Sequence, residues 1–192
     1  CLSYYGYQVA EARYVQREAS AALEATLASA YARANSGELR RDLAVAASGR
    51  EGGPSAPDAA LALLEIPRLK VSNVVMSGDD PEVLDVAIGH LPDTPKPWEL
   101  GNSALAAHRD GLFRPLRRIR LGDEIRVRTA HGDFTYRVRD TKIVAPDDLS
   151  VLAPTETPTL TLITCYPFNF VGSAPKRFIV HAERVDTALS TQ

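Results

Sequence analysis

Thr159-Leu-Thr-Leu-Ile-Thr-Cys165-Tyr-Pro-Phe168 is followed, after a short interval, by Arg177-Phe-Ile-Val180, and these two segments govern how the rest of the chain is read. Thr159 to Thr164 are rich in β-branched residues, and Leu160 and Leu162 alternate with Thr161 and Ile163 as in a half-buried strand. Pro167, Gly172 and Pro175 make a loop of the stretch from Tyr166 to Lys176, after which Phe178, Val180 and Ala182 resume the alternation. Paired as an antiparallel hairpin, the two strands set Cys165 nearly opposite Arg177. A fixed guanidinium there stabilises negative charge, on sulfur or on a developing oxyanion. The plain alternative is a small buried cysteine beside a solvated strand end, which is the common fate of cysteines.

A third residue changes that balance. Gly101-Asn-Ser-Ala-Leu-Ala-Ala-His108-Arg-Asp-Gly111 puts a histidine after a short run of small and apolar residues and before a turn signal, so it too reads as a strand end. A thiol needs a proton acceptor to become a useful nucleophile, and a leaving amine needs an acid. Histidine fills both roles near neutral pH. Cys165, His108 and Arg177 are therefore the candidate catalytic set, although spacing alone does not bring them together.

Thr161-Leu-Ile-Thr-Cys165 with Arg177 downstream and His108 upstream resembles the sortases, cysteine transpeptidases of the bacterial cell surface. The resemblance covers roughly residues 61 to 185. Leu64-Glu-Ile-Pro-Arg-Leu69 is similar to the opening strand, Gly101 to Asp110 to the histidine motif, and Leu121-Gly-Asp-Glu-Ile125 to the segment after it. The run from Cys165 to Phe178 is most similar to class D sortases, with class E the nearest competitor. The resemblance implies an eight-stranded β-barrel and acyl transfer through a Cys165 thioester. His108 would protonate and deprotonate the amines, and Arg177 would orient the peptide. The implied substrates are surface proteins bearing a Leu-Pro-x-Thr-Gly-like C-terminal sorting signal, and the acceptor is an amine of a peptidoglycan precursor or a pilin lysine. Thr164 either supports the oxyanion or substrate threonine or is an ordinary strand residue, and the sequence does not choose. Trp98 and Ala107 complete the candidate substrate-binding set. Trp98 sits in a loop, His90 to Leu100, that is bulkier and poorer in glycine than in typical relatives, which leaves the exact signal open.

The remainder of the chain accords with one mainly β domain carrying an appendage. Its 192 residues are 45% hydrophobic and 24% charged, enough for one core, and a net charge of −2 leaves no electrostatic footprint for nucleic acid. Residues 9–43 are rich in Ala, Glu, Arg and Leu without proline and read as helix; residues 1–47 are expected to be a membrane-proximal stalk. Gly, Pro and Ser fill a linker at 48–58, and the barrel domain is expected to span 59–192 and to fold without the stalk. Packing of the helix against the barrel is the alternative. No run of about twenty apolar residues spans a membrane. The tyrosines near Cys1 and the resemblance together imply a membrane anchor upstream, with a lipidated Cys1 as the rival, and a catalytic domain on the extracytoplasmic side. Asp80 to Ile88 reads as a helix begun by Asp and Pro, and Ala130-His-Gly-Asp133 as a hairpin turn.

No cofactor or metal is expected. Two cysteines 164 positions apart give no disulfide framework, and the four histidines form no close-spaced ligand pairs with cysteine. Asp147-Asp148 reads as a turn or helix start rather than a calcium site. An L,D-transpeptidase lacks support because its Ser-x-Gly-Cys-x-Arg type of motif is absent and Arg177 stands twelve positions beyond Cys165. A noncatalytic surface-binding barrel remains the other class, to be separated by the reactivity of Cys165.

Overall fold

The computed structural model describes residues 16–22, 25, 60–170 and 172–185. Within them eight strands close into a barrel: β1 (Ala60–Ile66), β2 (Val71–Ser77), β3 (Ile88–His90), β4 (Asn102–Ala106), β5 (Glu124–Thr129), β6 (Gly132–Val144), β7 (Thr159–Tyr166) and β8 (Lys176–Arg184). The order around the barrel is β1-β2-β3-β4-β7-β8-β6-β5. Most neighbours are antiparallel, but β2 with β3 and β4 with β7 run parallel. The expected mainly β barrel is thus what the chain forms.

Alternation builds the core. Leu64, Ile66, Ile125, Val127, Leu160, Leu162, Val180 and Ala182 point inward and belong to one buried cluster with Phe113, Leu116 and Tyr136. Fully burying each large aliphatic among them contributes about 1.5–3 kcal/mol. Two of the sequence segments quoted above meet at one rim. Arg68, in the turn after β1, bonds through Nε to Asp123 and through Nη2 to the Arg118 carbonyl. Arg68's guanidinium holds the Asp123 carboxyl below its ordinary range.

The parallel β2–β3 connection is made by α1 (Pro81–Val86). It starts one residue inside the expected helix and ends two short of it, with Asp80 at its N-cap and proline in its first turn. α1 crosses the outside of the barrel, and Val83 and Val86 pack with Leu63, Val74, Met76 and Ala87 in a second cluster. Gly89 in β3 makes this possible, because a Cβ there would stand 2.8 Å from Leu84 Cδ2 and closer still to the Gly78 carbonyl. The helical stretch at 16–22 lies on the same outer face. Ala19 joins the second cluster, the Val74 N–H donates to Gln16 Oε1 at 2.9 Å, and Gln16 Nε2 donates to the Val86 carbonyl. This is the packing alternative left open by the sequence, at the few residues of 1–47 that are described. The linker at 48–58 lies outside the described residues.

A buried polar chain spans the wall. Thr161 Oγ1 donates to Asn102 Oδ1 at 2.6 Å and meets His181 Nδ1 at 3.0 Å, while Asn102 Nδ2 donates to the Val151 and Ala153 carbonyls. Burial pushes the His181 pKa below its ordinary value, against the pull of Asp140 and with the push of Lys142.

Two outcomes follow from this packing. Removal of residues 1–57 loses the Gln16 bonds to Val74 and Val86, each worth about 1 kcal/mol net, and the Ala19 contact. The thermal midpoint of the fragment should fall by roughly 5–10 °C, as calorimetry would measure. For His181 the depressed folded pKa means that the unfolded chain takes up the proton first, so stability present above about pH 6.5 declines as pH falls below it. Chemical denaturation of His181→Gln should show a flatter stability profile between pH 7 and pH 5 than the unaltered chain.

Candidate active site

β7 and β8 pair antiparallel with Cys165 directly across from Arg177, in the register expected from alternation alone. Direct cross-strand partners hold their Cβ atoms about 4.5–5.5 Å apart on one face. Cys165 is a free, partly exposed thiol at the end of its strand, and Arg177 is partly buried at the start of β8. Arg177 Nη1 donates to the Lys176 carbonyl at 3.2 Å and the Ala174 carbonyl at 3.4 Å, which braces the guanidinium against the loop.

His108 arrives from the other side of β7. Ala106 in β4 stands beside Ile163 in the parallel register, and the Ala107 N–H donates to the Ile163 carbonyl at 3.3 Å. Continued two residues past Ala106, the same register brings His108 level with Cys165. The three candidates therefore come together at one end of the barrel, His108 and Arg177 flanking the cysteine strand. His108 is exposed, and its Nε2 lies 3.4 Å from Asp85 Oδ1.

Thr164 and Ala107 are locked to each other. The buried Thr164 hydroxyl donates its proton to the Ala107 carbonyl at 2.7 Å, so that proton is not offered to a substrate oxygen. Of the two readings of Thr164, the geometry carries a third consequence: it fixes the residue before His108 to the residue before Cys165.

Trp98 is not part of this constellation, and its expected place beside the substrate is corrected. It lies in the β3–β4 loop, four residues before Asn102, which pairs with Thr159 at the far end of β7. Its ring stacks on His131, 4.4 Å between centroids, in the β5–β6 turn at the opposite rim from Cys165. Tyr136 secures the loop there by donating to the Pro97 carbonyl, its own pKa pushed up by burial to about 12. The bulk of the loop is thus absorbed in closing the far rim of the barrel. Asp148 is likewise accounted for by structure, accepting from the Ser150 N–H at 3.1 Å as an N-cap. His90 is buried against the Pro95 carbonyl at 3.0 Å.

Sequence reasoning missed Arg109. Its Nη2 donates to the Phe170 and Gly172 carbonyls, both at 2.8 Å, and the guanidinium lies 5.9 Å from the Phe170 ring. The residue after His108 thereby holds the loop that follows Cys165. No local pattern announces such a contact, because both acceptors are backbone. Tyr166, Phe168 and Phe178 form an aromatic cluster beside the same strand ends, with centroids 5.3–6.3 Å apart. Among the described residues there is no group of acidic, histidine or cysteine side chains able to hold a metal ion.

The family model of the Sortase domain matches residues 64–185. Sortase D of Bacillus subtilis is 40% identical over 124 residues, covering 64% of this chain and 63% of that protein's length. Sortase A of Listeria monocytogenes is 28% identical over 139 residues, 70% of this chain and 61% of its own length. The chain therefore spans somewhat under two thirds of these relatives. Among solved structures, a Clostridium perfringens Sortase D5 transpeptidase superposes with a TM-score of 0.63 at 27% identity, over 85% of this chain and 98% of that one. Sortase C1 of Streptococcus agalactiae gives 0.61 at 29% identity, covering 68% of each chain.

The Thr164 lock generates its own test. Thr164→Val should leave the Ala107 carbonyl short of a donor and cost about 1–3 kcal/mol of stability, whereas Thr164→Ser should keep most of it. Urea denaturation of the two variants measures the difference.

Proposed function

We propose, from the premise that this chain belongs to the sortase family, that it is a cysteine transpeptidase acting at the cell envelope. The observation that supports this most is the register of β4, β7 and β8, which draws His108, Cys165 and Arg177 to one barrel rim. The partial exposure of the thiol supports it further, since an inert structural cysteine gains nothing from a strand end open to solvent.

In the proposed reaction Cys165 Sγ attacks the carbonyl carbon between Thr and Gly of a Leu-Pro-x-Thr-Gly-like sorting signal. The carbon–nitrogen bond breaks, a thioester forms, and the departing glycine amine takes a proton from His108. An acceptor amine then attacks the thioester, passes its proton to His108 and releases the sulfur. Arg177 holds the peptide and the oxyanion in both steps, its planar fork giving two directed hydrogen bonds. The acceptor is an amine of a peptidoglycan precursor or a pilin lysine, and the substrates are surface proteins carrying the signal. Ala107, bound to Thr164, forms part of the floor between His108 and Cys165. Residues 59–192 constitute the catalytic unit, with 48–58 a linker and 1–47 a stalk toward the membrane. The unit works on the extracytoplasmic side. Among the described residues no helix is long and apolar enough to cross a membrane.

Two variants test the reading. Cys165→Ala removes the sulfur and leaves only a small void, so it should abolish cleavage and transfer of a soluble sorting-signal peptide while keeping the thermal midpoint. Retained transfer by that variant would sink the assignment. Arg177→Lys keeps the charge and loses the fork, and turnover should fall roughly tenfold to a hundredfold. Near-normal turnover would show that charge alone suffices.

A further inference from the structure

Asp85 occupies the last turn of α1, a position where helix carbonyls point outward and an acid is electrostatically disfavoured. Its carboxylate Oδ1 lies 3.4 Å from His108 Nε2, the side chains being 62% and 47% exposed. The aspartate arm is short, so its placement depends on where the backbone of α1 sits. That backbone is held from several directions. The Leu84 N–H donates to the Asp80 carbonyl and the Ala87 N–H to the Val83 carbonyl, Val83 and Val86 pack on β1 and β2, and the Val86 carbonyl accepts from Gln16. Gly89 allows the close approach of α1 to β3.

We propose that Asp85 is a positioning residue for His108, an inference that rests on the proposed transpeptidase reading. By engaging Nε2, the carboxylate fixes the imidazole ring and leaves Nδ1 for the proton exchanged with Cys165 and the two amines. The contact at 3.4 Å is long for a hydrogen bond, as such pairs commonly are before substrate excludes water and draws them together. The other charged groups around the ring are Arg109 and Asp110, next to it in the chain, and Arg177 beyond Cys165 in the register. Arg109 is committed to the Phe170 and Gly172 carbonyls. Among the described residues Asp85 is the carboxylate in ion-pair reach of His108.

The test uses the full chain. With a soluble sorting-signal peptide and an amine acceptor, Asp85→Ala should lower kcat about fivefold to tenfold with KM changed by less than twofold. Asp85→Glu should recover at least half of the loss. In parallel, relaxation of the His108 Cε1–H group by NMR reads ring order without turnover, and Asp85→Ala should loosen the ring. Unchanged ring order overturns the proposal whatever the kinetics, and so does an unchanged kcat. Failure of the unaltered chain to process any sorting-signal peptide would instead count against the transpeptidase reading, while the relaxation measurement would still decide the role of Asp85.

Discussion

The parallel pairing of β4 with β7 is the constraint on which the rest depends. It is locked by buried polar bonds toward both ends. At one end Asn102 and Thr161 bond across the pair, and at the other Thr164 donates to the Ala107 carbonyl. Both side chains of the first bond are shielded from water, so a slip by one residue would strand two buried polar groups and turn every inward leucine of β7 to the wrong face. Hydrophobic burial drives the strands together but does not choose between neighbouring registers. The polar bonds do, and the register they choose is the one that brings His108 level with Cys165. The placing of these two candidate residues is in this sense a by-product of how two strands are kept from sliding.

Loops are then tied to strands rather than left to find their own place. Arg109 bonds two carbonyls of the loop after Cys165. Arg177 bonds two more from the end of the same loop. The guanidinium on either side of the nucleophile is thereby braced against backbone, which is the cheapest way for a planar fork to be fixed before substrate arrives. At the far rim the same logic holds the β3–β4 loop, through Tyr136 on Pro97 and Trp98 on His131.

What the sequence made legible was whatever depends on period. Leu160, Leu162, Val180 and Ala182 alternate, and from that alternation alone came the hairpin and the pairing of Cys165 with Arg177. The turn at His131 and the helix begun by Asp80 and Pro81 were readable from turn and cap chemistry. Trp98 was misplaced because the bulk of its loop was read as shaping the substrate groove, whereas that bulk packs on His131 at the other rim. Arg109, Asp85 and Gln16 were overlooked for a common reason. Each acts through a single side chain on backbone or on a residue far away in sequence, and no periodicity records that. The closed strand order was likewise beyond alternation, since parallel neighbours such as β4 and β7 are separated by more than fifty residues of intervening chain.

Openness explains why register, and not burial, has to position this site. The transfer proposed above would need room for a peptide and then for an amine, and an open thiol and imidazole accord with that reading. Cys165 is partly exposed and His108 more so. Long side chains at a rim sample many rotamers, so flexible arms would orient such a site poorly. Short side chains on fixed backbone solve the difficulty. Cys165 stands on β7 and His108 two residues past the end of the neighbouring β4, each one residue beyond the buried Thr164–Ala107 bond, and Asp85 is a short arm on a helix packed against the same wall. The precision of the rim is therefore inherited from the interior, where water does not compete.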